Sequence, residues 1–396
     1  MRFRPPAPVA RASIAGTLLS LSLILGAAPA AAQADKVAHG LALQAARAKF
    51  VVVKAKKVFY TRRWDLRGLP SYQPRQQVSG TIRMWGSNYI QDSNLGKYWD
   101  EGFRKYQPGA HITFHMKTAT AAVPSLVFGV ADVGVGRKIT FAEQLLYERY
   151  NDRDPLIVTV ATGSYDVTGW QPGYGIVVSK ENPLTCLSMQ QLDDIFGAQR
   201  SGGWEGTSWH PDWARGAQEN IRSWGQLGLT GDWASRPIDP YGLNLRYHQA
   251  AELSDDILRG SDKWNERLRI YANYVAKDGA LGRDLKADLS QDRYGIAWIA
   301  APTYKLPPQL KVLAISDRTG GQCIPYTLQT VHDRTYPLIS QIYMFANTGH
   351  DGSVKPLVRE FLRYAVSREG QEAVERDGKY LPLTAEAARQ QWRKIK

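Results

Sequence analysis

From Gly80 onward the chain alternates between short hydrophobic runs of strand length and helix-length stretches closed by Gly or Pro-Gly, and this alternation restricts the fold more than any other feature. Residues 81–85 read as a strand and Gly86-Ser87-Asn88 as a turn; a helical stretch then runs to Tyr106, stopped by Pro108-Gly109. Residues 110–116 alternate as a second strand, 118–128 are helix-like up to Gly129, and 131–135 are a strand again. Residues 176–178 and 295–299 supply further strands, 187–196 a helix, and 354–374 a long last helix. Parallel strands need crossovers of a dozen or more residues, which helices of this length provide. The pattern therefore predicts an α/β protein with parallel sheets covered by helices on both faces.

The first 32 residues read as an address rather than as part of the fold. Arg2, Arg4 and Arg11 precede an apolar run over 14–25 and the small-residue stretch Gly26-Ala-Ala-Pro-Ala-Ala-Ala32. That order is a secretory signal peptide, with cleavage expected after Ala32. The apolar run is shorter than the roughly 20 residues a spanning helix needs. No Cys adjoins the cleavage site, which excludes lipid attachment there, and a soluble periplasmic product is expected. Roughly 360 residues remain, enough for two lobes at about 100–200 residues per domain. In an oxidising compartment Cys186 and Cys323 stand either as a disulfide or as two separate buried thiols. A bridge closing so long a loop would stabilise by about 4–5 kcal/mol on the chain-entropy model.

The net charge of +13 is unevenly placed. The signal carries three positive charges, and residues 33–78 hold ten Lys/Arg against Asp35 and Asp65, so only two of the thirteen belong to the body from 79 to 396. A nucleic-acid role needs a basic binding face on the folded body, and this distribution speaks against it. Residues 33–57 read as an amphipathic helix that turns basic, and 59–78, with Pro70, Pro74 and Gly68, as an extended linker. The two together form a basic arm, either resting on an anionic surface or partner or simply solvated.

Enzyme signatures do not occur: there is no phosphate-binding P-loop, no H-E-x-x-H, no G-x-S-x-G and no dinucleotide fingerprint. His111 and His115 stand four apart, but their segment alternates like a strand and reads as two surface or packed histidines. Neither a metal nor a cofactor is expected. What the chain does offer is a set of small, hydroxyl-bearing turns between strands and helices, Gly86-Ser87-Asn88 and Lys117-Thr118-Ala119-Thr120. Unpaired N–H groups at helix starts receive anions, and in open α/β sheets ligands sit beyond the carboxyl ends of strands, where these turns fall.

An ordered series of landmarks adds to this reading. After Gly86-Ser87 and Pro108-Gly109 come Leu126-Val-Phe-Gly129, Ala131-Asp132-Val-Gly134, Asn182-Pro183 and Gln191-Leu192-Asp-Asp-Ile195-Phe196-Gly197. Tyr336-Pro337-Leu338, Phe361-Leu-Arg-Tyr and Tyr380-Leu-Pro-Leu383 close the series. Over residues 79–384 the chain thereby resembles the phosphate-binding subunits of bacterial ABC transporters, which are type II periplasmic binding proteins. The resemblance implies two α/β lobes joined by two crossover strands with an interlobe cleft, the crossovers falling near 162–168 and 325–331. It implies lobe I from 79–163 and 327–396, and lobe II from 164–326 with a Trp-rich insertion at 198–235. It also implies a small oxyanion, inorganic phosphate first, as ligand, an inner-membrane ABC permease as partner, a monomer, and no catalysis.

Carried over by position, the resemblance assigns Ser87 and the adjacent Asn88 to the anion. The serine of the family's second turn falls on Ala119, leaving Thr118 and Thr120 beside it, and Arg137 stands where the family has a Ser or Asp ligand. Arg236 is the candidate for a second-lobe Arg, although the Ser-Gly-Thr that should follow is missing and the text reads Pro237-Ile-Asp-Pro-Tyr-Gly-Leu-Asn244. The family's Tyr-Pro-Leu-Ser-Arg reads Tyr336-Pro-Leu-Ile-Ser340. Asp132 reads as structural. In the insertion Trp204, Trp209, Trp213, Trp224 and Trp233 accompany Arg200, Arg215 and Arg222, fit either for packing on the second lobe or for contact with a partner or sugar. Two rivals stand beside capture: a family member that lost anion binding and serves as an envelope scaffold, and a phosphate-ester hydrolase, for which no nucleophile–base pair is visible.

Overall fold

The computed structural model describes residues 55–245, 247–271 and 284–395. The signal peptide, and residues 33–54 of the expected arm helix, lie outside them. The strands are β1 (Gly80–Gly86), β2 (Ala110–Met116), β3 (Val133–Gly136), β4 (Leu156–Thr162), β5 (Tyr174–Ser179), β6 (Cys186–Ser188) and β7 (Gly203–Glu205). They continue with β8 (Ser208–His210), β9 (Asp239–Leu243), β10 (Arg269–Tyr271), β11 (Gly295–Ala300), β12 (Leu310–Val312), β13 (Ala314–Ser316) and β14 (Gln341–Ala346).

Two five-stranded sheets result, one in the order β2-β1-β3-β14-β4 and one in the order β10-β9-β11-β5-β12. In the first, β1 runs parallel to β2 and β3, and β14 antiparallel to β3 and β4. The carboxyl ends of β1 to β4 and the amino end of β14 consequently share one edge. In the second, β9, β10 and β11 are parallel and β5 is antiparallel to β11, so the amino end of β5 joins their carboxyl ends. Every residue of β5 is buried, as a continuous apolar strand covered on both faces should be.

The chain leaves the first sheet after β4 and enters the second at β5, then returns between β13 and β14. The two crossings lie side by side: Gly163 N donates to Ser340 O at 2.8 Å and Tyr174 N to Leu338 O at 2.8 Å. A Cβ on Gly163 would stand 2.0 Å from Gln171 O, so this hinge position admits only glycine. Each sheet has its own core. Trp99, Phe103 and Phe361 are fully buried on the first, and Phe196, Trp224 and Trp298 on the second. Each such Phe contributes about 1.5–3 kcal/mol relative to exposure.

Three expectations change on contact with the structure. The long last helix over 354–374 is two helices, Pro356–Val366 and Arg368–Asp377. Ser367 ends the first and caps the second by accepting from Gly370 N. Residues 59–78 form no helix or strand, as read, but they are not a solvated arm. Leu66, Leu69 and Tyr72 are buried in the first lobe's core. Tyr60 accepts from the backbone N–H groups of Tyr165 and Asp166 at one crossing, and Trp64 stacks on His332 at the other, with ring centroids 3.4 Å apart.

The insertion also divides. Trp224 and Trp233 are buried in the second lobe's core, as the packing reading requires. The β7–β8 hairpin instead reaches the first lobe: Trp204 lies 4.8 Å from Phe141, and Thr207 Oγ1 donates to Glu148 at 2.8 Å, both partners on the helix Phe141–Asn151. Arg200 and Arg215 are buried against Asp193 and anchor the insertion's root. Cys186 and Cys323 form a disulfide with Cα atoms 6.0 Å apart, fastening β6 to the segment after β13.

Candidate functional site

The shared edge of the first sheet gathers the strand-end turns. Gly86 ends β1 with φ +135°, and a Cβ there would lie 1.9 Å from Val135 O. Only glycine lets the backbone pass this close, and Ser87 N then donates to the same carbonyl at 2.9 Å. Ser87 is buried, precedes the short helix Asn88–Asp92, and makes no side-chain cap bond there. Asn88 turns its amide onto Asp92 of its own helix at 2.6 Å. After β2, the hydroxyls of Thr118 and Thr120 pair at 3.0 Å. Ala119 between them lies against Gly136 at the end of β3, so the β2 and β3 turns are neighbours. Thr120 also lines a hollow of about 330 Å³ whose far wall is Leu245, Tyr247, His248 and Ala251 of the second lobe.

Arg137 follows β3 directly and reaches across the cleft. Its Nη1 lies 3.3 Å from Glu252 Oε2, on the second-lobe helix His248–Ile257, and 3.5 Å from Tyr174 OH. Tyr174 OH donates to the same carboxylate oxygen at 2.5 Å, and Ser340 Oγ, one residue before β14, donates at 3.1 Å. Burial, then the charge of Glu252, holds the Tyr174 phenol well above its ordinary value, so it remains a donor. Beside this cluster Lys138 Nζ stands 3.1 Å from Asp255 and 3.3 Å from Asp256. Burial alone would lower the Lys138 ammonium, but Asp256 and Asp255 reverse that and hold it above its usual range. Burial raises the Asp256 carboxyl to about 6 against the pull of Lys138, with Glu252 adding to the rise.

Ser87, the Thr118–Thr120 turn and Arg137 thus stand on one edge. Arg236 does not join them. It precedes β9 instead of following it, lies exposed, and stacks its guanidinium 5.1 Å over Tyr294, which itself precedes β11. Both positions are at the amino end of the second sheet, away from the cleft, and this corrects its placement. Asp132 pairs with Arg83 at 2.9 and 3.0 Å in a structural role. His111 and His115 lie on β2 as read, His115 stacked on Trp85.

Four cleft residues escaped the sequence reading: Lys138, Tyr174, Glu252 and Ser340. Lys138 adjoins Arg137, and Ser340 ends the quoted Tyr336-Pro-Leu-Ile-Ser340 landmark, so position alone pointed to both. The acids Glu252, Asp255 and Asp256 on one helix after a second-lobe strand were a usable signal; Tyr174 carried none. Among the described residues no His/Cys/Asp/Glu group is arranged to hold a metal ion. Also among them, no helix is long and apolar enough to cross a membrane.

Two α/β lobes, joined by paired crossings and facing each other across a cleft through their strand ends, define the two-lobed binding-protein fold. A family model described as a PBP superfamily domain matches residues 73–369, and the chain belongs to that family. It is 28% identical over 322 residues to the phosphate-binding protein PstS of Pseudomonas aeruginosa, covering 81% of this chain and 88% of that protein. Among solved structures it is similar to an ABC-type phosphate transport receptor from Vibrio cholerae, with a TM-score of 0.46 and 15% identity over 76% of this chain and 99% of the other. It is also similar to a possible phosphate binding protein from Planctomyces limnophilus, with a TM-score of 0.44 and 17% identity over 81% and 98% of the two chains.

Proposed function

We propose that this protein is exported to the periplasm, where it captures a small oxyanion, inorganic phosphate first, between its lobes and hands it to an ABC-type permease. The observation that carries this reading is the convergence of Arg137, Tyr174 and Ser340, from both lobes and the returning crossing, on a single carboxylate oxygen. A guanidinium and two hydroxyls aimed at one anionic oxygen are donors suited to a phosphate oxygen, and charge-assisted bonds of this kind are the strong ones. Ser87 and the Thr118–Thr120 turn supply further donors along the same edge. The lobes are taken as 79–163 with 327–396 and as 164–326, and the working unit as a monomer. The name of the Pseudomonas relative supports phosphate over other oxyanions.

A second reading, an envelope scaffold that no longer captures anions, draws on the three acids that face Arg137 and Lys138 across the cleft. Titrating phosphate, sulfate and a sugar panel into the chain from Gln33 separates the two, followed by Trp fluorescence and thermal midpoint. A ligand that binds only the native state stabilises it by about 2.7 kcal/mol at a hundred times its Kd. Phosphate is expected to raise the midpoint and sugars to leave it unmoved. No response at millimolar phosphate would leave the scaffold standing.

A further inference from the structure

The anion already held in the cleft is the protein's own. Glu252 is 5% exposed, and its Oε2 receives Tyr174, Ser340 and Arg137. Its other oxygen, Oε1, is equally buried and has no hydrogen-bond partner. Glu360 and Asp377 inside the first lobe keep one such oxygen too, so what marks Glu252 out is its place between the lobes. The donors, moreover, are not grouped around the helix that carries Glu252. Tyr174, at the start of β5, belongs to the same lobe as Glu252, but Arg137, after β3, and Ser340, before β14, come from the first lobe and the returning crossing, so these two meet Oε2 across the cleft. Lys138 with Asp255 and Asp256 adds a second ionic contact across the same gap.

We infer that Glu252 is a tethered anion that occupies the oxyanion position, holds the cleft closed without a guest, and must be displaced before an external anion binds. The inference rests on the reading of this cleft as an oxyanion site and adds its regulation and the class of guest it admits. Two anions cannot share the Arg137, Tyr174 and Ser340 donors, because like charges in one buried site exclude each other. A monocarboxylate such as acetate brings no more charge and no more oxygens than Glu252 itself, and it lacks the advantage of the tether. A phosphate dianion carries roughly twice the charge and offers four acceptor oxygens against two. The site therefore selects multiply charged oxyanions over simple carboxylates. It also binds them more weakly than its donors would allow, since only the fraction of molecules with Glu252 withdrawn is competent to bind.

The test uses the chain from Gln33 with E252Q, which keeps the side chain's shape, and E252A, which removes it. Thermal midpoints establish that each variant is folded, and E252Q carries the binding test if E252A is not. Phosphate and acetate are titrated calorimetrically at fixed pH and salt, and small-angle scattering gives the radius of gyration of each ligand-free form. Expected are a compact ligand-free wild type, an expanded E252A that contracts on adding phosphate, phosphate binding at least tenfold tighter in E252Q than in wild type, and no acetate binding to wild type. Weaker phosphate binding in E252Q would make Glu252 a contact of the ligand and overturn the proposal. Unchanged affinity with an unchanged radius, or acetate binding to wild type as tightly as phosphate, would overturn it too. If none of the three proteins binds phosphate while E252A still expands, the tethered anion stands and the phosphate reading falls.

Discussion

Asp193 and Glu252 are both buried carboxylates facing arginine, yet their surroundings differ in every particular. Asp193 sits within one lobe, at the root of the Trp-rich insertion, and Arg200 grips both its oxygens at 2.6 Å while Arg215 lies 3.6 Å away. Glu252 bridges two lobes, is met by Arg137 on one oxygen at 3.3 Å, and keeps the other unpartnered. A two-toothed grip inside one rigid body has nothing to gain from release. A one-sided grip between two bodies can be exchanged for a better anion when they part. The contrast separates an ion pair that fixes a loop from one that gates a cleft.

That distinction can be broken at either end. Asp193→Ala leaves Arg200 buried without a counter-charge, while Arg215 keeps Asp194 at 3.4 Å, and removing one partner of a buried pair destabilises by about 3–5 kcal/mol. Chemical denaturation should register a loss of that size, with phosphate affinity of the remaining folded protein unchanged. A loss below about 1 kcal/mol, the range of exposed ion pairs, would erase the contrast. Arg137→Ala should do the opposite. Phosphate binding weakens at least tenfold by calorimetry, about 1.4 kcal/mol, while the midpoint falls much less than in Asp193→Ala. Unchanged affinity would remove Arg137 from the site.

The smallest effect concerns Asp256. Its carboxyl is raised from 3.8 to about 6, so the native state holds that proton to higher pH than the unfolded chain does. Its contribution to stability is therefore fully present below about pH 4 and lost as pH rises through about 6. Wild type should gain on Asp256→Asn, whose side chain stays neutral, as pH falls from 7 toward 4. Thermal midpoints of both proteins across that range check the sign, and a wild type that loses ground to Asp256→Asn on acidification would contradict it.

The parts of this contrast that follow local rules were legible in the sequence. Strand and helix periodicity predicted β1 to β3, and chain order placed Arg137 directly after β3, on the edge where ligands gather. The break at Ser367 was not legible, because the residues on both sides of it favour helix and only the hydroxyl's bond to Gly370 N marks the stop. Nor was the packing of residues 59–78. Tyr72 donates to Glu360, 288 residues away, and no local pattern announces such a contact. Arg236 failed for a related reason: residues 239–243 do not read as a strand in the sequence, so nothing there says that Arg236 precedes β9. The acids on the helix of Glu252 were a usable signal, but helical periodicity tells which face is buried, not that a carboxylate on it will find three donors from the other elements.

The most direct measurement is a crystal structure of E252Q grown with arsenate, a heavier analogue of phosphate, with its position read from anomalous scattering. The account predicts one arsenic peak in the cleft, its oxygens within hydrogen-bond distance of Arg137, Tyr174 and Ser340. An empty cleft, or arsenate bound only elsewhere on the protein, would contradict it.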